Sequence, residues 1–291
     1  MNYRHAFHAG NHADVLKHAA LVLTLERLKA KAKPFFVLDT HAGRGAYDLA
    51  GAEAFRSAEY VAGAARLAGD AAAPDALAPY LDLLRRHNPF GGLRWYPGSP
   101  MIIRDALRPE DSAKFCELQP DERAALEAAI GSEPRIRIYA RDGYQAVRAF
   151  LPPTERRGLV LIDPPFEQPG EFDRLAAAAA DGLKRWANGI YLMWRPIKDD
   201  AGHRRFAAAM AALAPENTLD AELSIAPKRE GRLTGSGLYF INPPFGIADG
   251  LAALLPYLAR RLAQAPGGGW SLVETEKGRA IRAAGETLRE G

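Results

Sequence analysis

Cysteine is almost absent: Cys116 is the only one in 291 residues, which excludes an internal disulfide, a zinc ribbon and a Cys-x-x-Cys redox centre. No run of 18 or more uncharged apolar residues occurs, so no membrane-spanning helix is expected. The opening Met1-Asn-Tyr-Arg-His-Ala-Phe-His8 lacks the apolar stretch of a signal peptide, and the expected compartment is the cytoplasm. A large charge imbalance is missing too. With 38 basic against 35 acidic side chains the net charge is +3, too small by itself to indicate a nucleic-acid partner. No Gly-Lys-Ser/Thr triplet occurs, which excludes a phosphate-cradling P-loop.

What is present is an average globular composition, 48% apolar and 25% charged, at a length that hides roughly 75% of the unfolded chain's surface on folding. One large α/β domain with a modest insertion fits better than two independent domains. The charge is unevenly spread. Residues 1–34 hold Arg4, Lys17, Arg27, Lys29, Lys31 and Lys33 against Asp14 and Glu26, a local +4, while residues 35–170 are net negative. This stretch reads either as a solvated basic helix face or as an edge turned toward phosphates.

The spacing of Val15, Leu16, Ala19, Val22, Leu23 and Leu28 predicts an amphipathic helix over 12–33, closed by Pro34. Short apolar runs predict strands at 35–38, 114–118, 136–139, 159–162, 190–194 and 238–241, with helical stretches such as 121–130, 171–186 and 247–264 between them. This alternation predicts a parallel, doubly wound sheet. About seventy residues separate Gly45 from the strand near 115, too many for a simple crossover. An insertion is therefore placed at 51–98, with helices at 52–69 and 75–87. The core takes 35–50 and 99–270, after an N-terminal motif and helix at 1–34. Ser99-Pro100 suits a helix cap and first position. Residues 275–291, charged and poor in large apolar side chains, read as a loose tail.

Chemistry concentrates at predicted strand ends. Val37-Leu38-Asp39 runs into His41-Ala-Gly43-Arg-Gly45, where glycines let a ligand approach the backbone at the carboxyl end of the first strand. Position 48 is Asp, so the third glycine of a dinucleotide-binding turn is missing and an NAD-dependent oxidoreductase is disfavoured. Glu117, at the end of the second core strand, suits both ribose hydroxyls of an adenosine-containing cofactor, and Asp142-Gly143 is placed to contact an adenine ring. Each also reads as an ordinary strand-end carboxylate; their order along the chain favours the cofactor.

Leu159-Val-Leu-Ile-Asp163-Pro-Pro-Phe166 is the most informative segment. Pro164 frees a carbonyl from any sheet ladder, so that carbonyl and the Asp163 carboxylate can accept both protons of an exocyclic amine while Phe166 stacks on the base. Held this way, the amine lone pair points toward an electrophilic methyl, and catalysis is mainly positioning and electrostatics. Asn242-Pro-Pro-Phe245 fits the same pattern. Its strand is expected two or more places from the first, so the chemistry is assigned to Asp163 and Asn242 is read as a strand terminator. His8 and His12 lie four apart but lack the intervening Glu of His-Glu-x-x-His, and no metal is expected. Trp95-Tyr96 with Arg85, Arg86 and Arg94 reads either as an RNA-facing surface or as packing of the insertion.

Taken together, Tyr3-Arg-His-Ala-Phe-His-Ala-Gly-Asn-His-Ala-Asp-Val-Leu-Lys-His18, Leu38-Asp-Thr-His-Ala-Gly43, Tyr96-Pro-Gly-Ser-Pro100 and Leu161-Ile-Asp-Pro-Pro165 resemble the RlmJ-type 23S rRNA adenine-N6 methyltransferases, from residue 3 to about residue 270. The resemblance implies a class I (Rossmann-like) methyltransferase with a small helical insertion. It would use S-adenosyl-L-methionine to modify one adenine of 23S ribosomal RNA. By this resemblance His18, His41, Ser99, Glu117, Asp142 and Gly143 hold the cofactor beside the Gly43 turn, and Lys17 reaches its methionine carboxylate. Asp163 is the catalytic carboxylate, with Pro164 and Phe166 beside it, and Tyr3 touches the RNA; Arg4, in the basic stretch, is a second expected RNA contact. The family motif ends in Tyr where this chain has Phe166, which keeps a stacking face and loses a hydroxyl. A DNA adenine-N6 methyltransferase shares the amine chemistry. A catalytically silent RNA-binding module on the same scaffold is the non-enzymatic alternative, and the intact Asp163-Pro-Pro argues against it.

Overall fold

The computed structural model describes residues 4–198, 200–229, 231–276 and 279–287. Helix α1 (His12–Lys29) leads into strand β1 (Phe36–Asp39), and β2 (Ala46–Asp48) follows. The insertion carries α2 (Ala52–Ser57) and α3 (Ala78–His87), and β3 (Trp95–Pro97) returns from it to pair antiparallel with β2. Alternation then follows through α4 (Ser99–Ala106), β4 (Ser112–Cys116), α5 (Pro120–Ile130), β5 (Ile136–Tyr139), α6 (Gly143–Phe150), β6 (Gly158–Ile162), α7 (Glu171–Arg185), β7 (Ile190–Ile197) and α8 (Asp200–Leu213). The chain ends in β8 (Asn217–Ser224), β9 (Gly235–Ile241), α9 (Ile247–Arg261), β10 (Gly269–Glu276) and β11 (Arg279–Thr287).

The main sheet has the order β11-β10-β8-β9-β7-β6-β1-β4-β5. β1 and β6 are buried at every position, as strands covered on both faces must be. β1 pairs in parallel with β4 on one side and β6 on the other, and β5 and β7 extend those sides in parallel. This is a Rossmann-like order, with the topological switch beside β1. The expectation of a parallel sheet holds for these strands only. β9, β8, β10 and β11 are each antiparallel to the strand they join. β9 therefore ends at the edge of the sheet where the parallel strands begin: Ile241 is opposite Tyr191, near the start of β7.

Several sequence expectations need correction. Residues 279–287 of the expected tail form β11, because main-chain pairing along β10 needs no large side chains. α1 stops at Lys29 rather than reaching Pro34, and it is buried on nearly every face rather than amphipathic. It packs among α3, α4, α9 and β9. The expected helix over 52–69 breaks into α2 and two 3-10 turns, Glu59–Ala62 and Ala64–Leu67. Gly63 explains the break: a Cβ there would come 2.0 Å from the Gly10 carbonyl oxygen, so the insertion turns tightly against the N-terminal motif. Gly98 caps α4, and Ser99 is its first residue rather than the cap. Tyr96 is fully buried, which removes it from any RNA-facing surface.

The basic stretch is divided by the geometry of α1. Lys17 lies near the helix start, whereas Arg27 reaches the Gly246 carbonyl and Arg108 donates to the carbonyls of Lys31 and Lys33, just before β1 begins. Arg27, Lys29, Lys31 and Lys33 thus lie at the edge opposite the carboxyl ends of the parallel strands, and a single phosphate-facing edge over residues 1–34 is excluded.

Candidate active site

A cavity of about 420 Å³ opens at the carboxyl ends of β1, β4, β5, β6 and β7. Lys17, His18, His41, Gly43, Ser99, Glu117, Asp142, Gly143, Asp163, Pro164 and Phe166, all expected from sequence, line it. Arg4 does not line it; its guanidinium pairs with Glu53 of α2 at 3.1 Å. Tyr3 lies outside the described residues.

The N-terminal wall is built around a buried charge chain. Asn11 caps α1 through bonds accepted from the Ala13 and Asp14 amides, which fixes the first helical turn. Asp14 Oδ2 accepts from His5 Nε2 and from the Gly10 amide, each at 2.9 Å, and its Oδ1 lies 2.9 Å from Lys17 Nζ. The Lys17 ammonium also donates to Asp163 Oδ2 at 2.5 Å. Burial opposes charge on Lys17, but Asp14 and Asp163 outweigh it and hold the ammonium protonated. Burial likewise disfavours an ionised Asp14, yet His5 and Lys17 keep its carboxyl well below the usual range. One turn further, His18 Nδ1 meets the Tyr96 hydroxyl at 2.8 Å, and Tyr80 joins it at 3.1 Å. Burial pushes His18 down to about 3, so it is neutral at neutral pH.

The turn after β1 supplies the floor. The Thr40 hydroxyl donates to the Leu161 carbonyl, so it accepts from His41 Nδ1 at 2.8 Å, fixing the tautomer with Nε2 as the acceptor. His41 is also kept neutral by burial, at about 4. Asp39 is fully buried, and burial pushes its carboxyl up to about 7 although Ser99 hydrogen-bonds to it. Its Oδ2 has no hydrogen-bond partner. Gly143 is required for a close approach, since a Cβ there would lie 2.1 Å from the Thr40 carbonyl oxygen.

At the end of β4, the Glu117 carboxylate accepts from the Gly43 amide at 2.9 Å and the Gln119 amide at 2.7 Å, while burial raises its pKa. Asp142 Oδ1 accepts from the Gln145 amide and caps α6. On the far wall the Phe166 backbone is left-handed, with φ of 51°. Its ring is 8% exposed and meets Phe172 and Trp194 edge-on at centroid distances of 4.8 and 5.7 Å.

Sequence reasoning named Asp39 at the end of β1 and missed Asp14, Tyr144 and Glu171. Tyr144 stacks edge-on to His41 and donates to Glu171 Oε1 at 2.6 Å, joining the start of α6 to the start of α7. Only Asp14 had a local signal, standing three residues before Lys17 on one helix face. His8 and His12 do not converge on a shared ligand: His8 Nδ1 binds Glu59, and His12 Nε2 is buried without a partner.

Comparison with known proteins agrees with this architecture. The family model described as "Ribosomal RNA large subunit methyltransferase D, RlmJ" matches residues 32–274. The chain is 41% identical over 266 residues to Ribosomal RNA large subunit methyltransferase J of Escherichia coli (strain K12), covering 91% of this chain and 95% of that protein. It is 40% identical over 275 residues to the protein of that name from Haemophilus influenzae, covering 94% and 98%. A crystal structure of a Legionella pneumophila protein superposes with a TM-score of 0.83 at 32% identity, covering 93% of this chain and 98% of that one. By sequence and by fold, the chain belongs to the RlmJ family of ribosomal RNA large subunit methyltransferases.

Proposed function

We propose that the protein transfers a methyl group from S-adenosylmethionine to the exocyclic N6 amine of an adenine in 23S ribosomal RNA. The observation that carries this reading is Asp163-Pro-Pro-Phe166 at the carboxyl end of β6, in one cavity with Glu117 and Asp142 at the ends of β4 and β5. The cavity fits the cofactor. Its volume is in the range of small-molecule sites, and Glu117 offers a carboxylate to ribose hydroxyls with Asp142-Gly143 at the adenine end. His18 and His41, both neutral, add no positive charge beside a cationic ligand. When bound, S-adenosylmethionine supplies an electrophilic methyl on a sulfonium.

The chain's own residues orient the amine. Lys17 takes Asp163 Oδ2, which holds the carboxylate in place and leaves its other oxygen and the Pro164 carbonyl to accept the two amine protons. As the nitrogen becomes positive, that carboxylate stabilises it, so most of the interaction is realised in the transition state. Unstacking the adenine costs a few kcal/mol, and an aromatic contact such as Phe166 returns about 1–3 kcal/mol. Lys17 acts through Asp163 and is a positioning residue.

The test is a map of N6-methyladenine in 23S rRNA from cells with and without this protein. One site lost with the protein is expected. Identical maps would overturn the reading, and a difference confined to DNA would move the substrate to DNA.

A further inference from the structure

We propose that the described residues between β8 and β9, 225–229 and 231–234, are a landing surface for the RNA backbone in which Arg229 and Arg232 take phosphates flanking the target nucleotide. This rests on the RNA-methylation reading above and adds the surface that receives the strand.

Position comes first. Ser224, at the end of β8, pairs with Gly235, and Gly235 pairs with Ile197 at the end of β7. β7 is parallel to β6, so the loop stands at the same edge of the sheet as Asp163. It is tied there by the Thr234 amide to the Ile197 carbonyl at 3.0 Å and by the Gly231 amide to the Lys198 carbonyl at 3.1 Å. Lys198 in turn donates its ammonium to the Phe166 carbonyl at 3.2 Å. Leu233 and Lys198 both line the cavity, so the loop is continuous with the wall that carries Phe166.

Charge selects the partner. Residues 226–234 contain Lys228, Arg229 and Arg232 against Glu230. Arg229 and Arg232 are exposed, and no ion pair joins either to a carboxylate among the described residues. The Arg232 amide bonds back to the Arg229 carbonyl at 3.1 Å, which holds the two residues close together. Elsewhere near the cavity Arg141 lies over the Phe150 ring at 5.5 Å, and three other arginines are held by carboxylates. Arg174 holds Glu171, Arg44 clamps Glu122 and Glu53, and Arg4 shares Glu53. The basic run from Arg27 to Lys33 is at the other edge. A guanidinium matches a phosphate bidentately, and phosphate contacts set register without reading sequence. Two such contacts on the loop that Lys198 links to Phe166 would hold the strand while one base leaves its stack.

The experiment measures binding of the full-length protein to a deproteinised 23S rRNA transcript across 50–200 mM salt. It compares wild type, R229A/R232A and the control K184A/R185A. Lys184 and Arg185 are exposed at the end of α7, at the opposite edge, so the control removes equal charge. For R229A/R232A the slope of log affinity against log salt should become shallower by about 1.4–1.8, with wild type losing about 7- to 12-fold more affinity over that fourfold salt range. S-adenosylmethionine affinity should stay at the wild-type value, which also reports folding. An unchanged slope in R229A/R232A, or an equal change in K184A/R185A, overturns the surface while leaving methylation of the transcript standing. A wild-type protein that binds S-adenosylmethionine and does not methylate the transcript overturns the substrate reading, and this surface with it.

Discussion

Asp163-Pro-Pro-Phe166 and Asn242-Pro-Pro-Phe245 each follow an apolar strand, yet they stand at opposite edges of one sheet. β6 runs with β1, so its motif reaches the cavity. β9 runs against β7, so its motif emerges where the parallel strands begin. The side chains differ accordingly. Asp163 meets the buried Lys17 ammonium, whereas the Asn242 amide donates to the carbonyls of Ala187 and Gly189 at 2.7 and 2.8 Å and ties down the turn before β7. Phe166 is 8% exposed among aromatics and Phe245 is 95% exposed. Each motif has one left-handed residue, Phe166 at φ 51° and Asn242 at 54°. Asn tolerates that conformation, while an aromatic there stores about 1–3 kcal/mol. Strain is thus held at the motif beside the cavity. Strand direction decides what a strand-end motif can do, and four-letter similarity does not.

The comparison is sharpened most by Asp163→Ala, expected to lower turnover by about 10²–10³, by analogy with loss of an oxyanion-hole donor. S-adenosylmethionine affinity, read by calorimetry, should fall far less. Equal losses in both would make Asp163 a cofactor ligand instead of a transition-state partner. Next in size is Glu117→Ala, which tests whether the cofactor shares that edge. Loss of charged hydrogen bonds worth about 1.5–3 kcal/mol should weaken S-adenosylmethionine binding roughly 10- to 150-fold, and wild-type affinity in a folded variant would remove Glu117 from the site. Phe166→Ala should slow single-turnover methylation by about 5- to 150-fold through lost stacking, whereas Phe166→Tyr retains most activity. Equal rates for Phe166→Ala and wild type would assign the ring to packing alone. The smallest effect is expected for Phe245→Ala, with stability in urea within about 0.5 kcal/mol of wild type. A larger loss there would mean that the exposed motif does more than end a strand.

Much of the half of the sheet beside the cavity was legible because its strands are short, apolar and separated by helices of ordinary length. β8 was not. Its Asn217-Thr-Leu-Asp-Ala-Glu-Leu-Ser224 looks polar, and only the fold shows that Asp220 and Glu222 point to the buried Arg195 of β7. β11 was hidden for a related reason: main-chain pairing leaves little trace in side-chain hydrophobicity. At the site, strand-end residues could be found from their order along the chain. The links between them could not, because they join distant positions. His18 and Tyr96 are 78 residues apart, and Lys17 and Asp163 are 146 apart. Lys17 is the clearest example. Expected at a cofactor carboxylate, it bridges Asp14 and Asp163 here, and no local pattern announces the second of these partners.

The most direct measurement is methyl transfer from labelled S-adenosylmethionine to a deproteinised 23S rRNA transcript by wild type, Asp163→Ala and Asn242→Ala, with the RNA digested to nucleosides. The account predicts N6-methyladenosine from wild type and from Asn242→Ala at comparable rates, and a loss of about 10²–10³ for Asp163→Ala. Active Asp163→Ala beside inactive Asn242→Ala, both folded, would contradict it, as would a labelled nucleoside other than N6-methyladenosine.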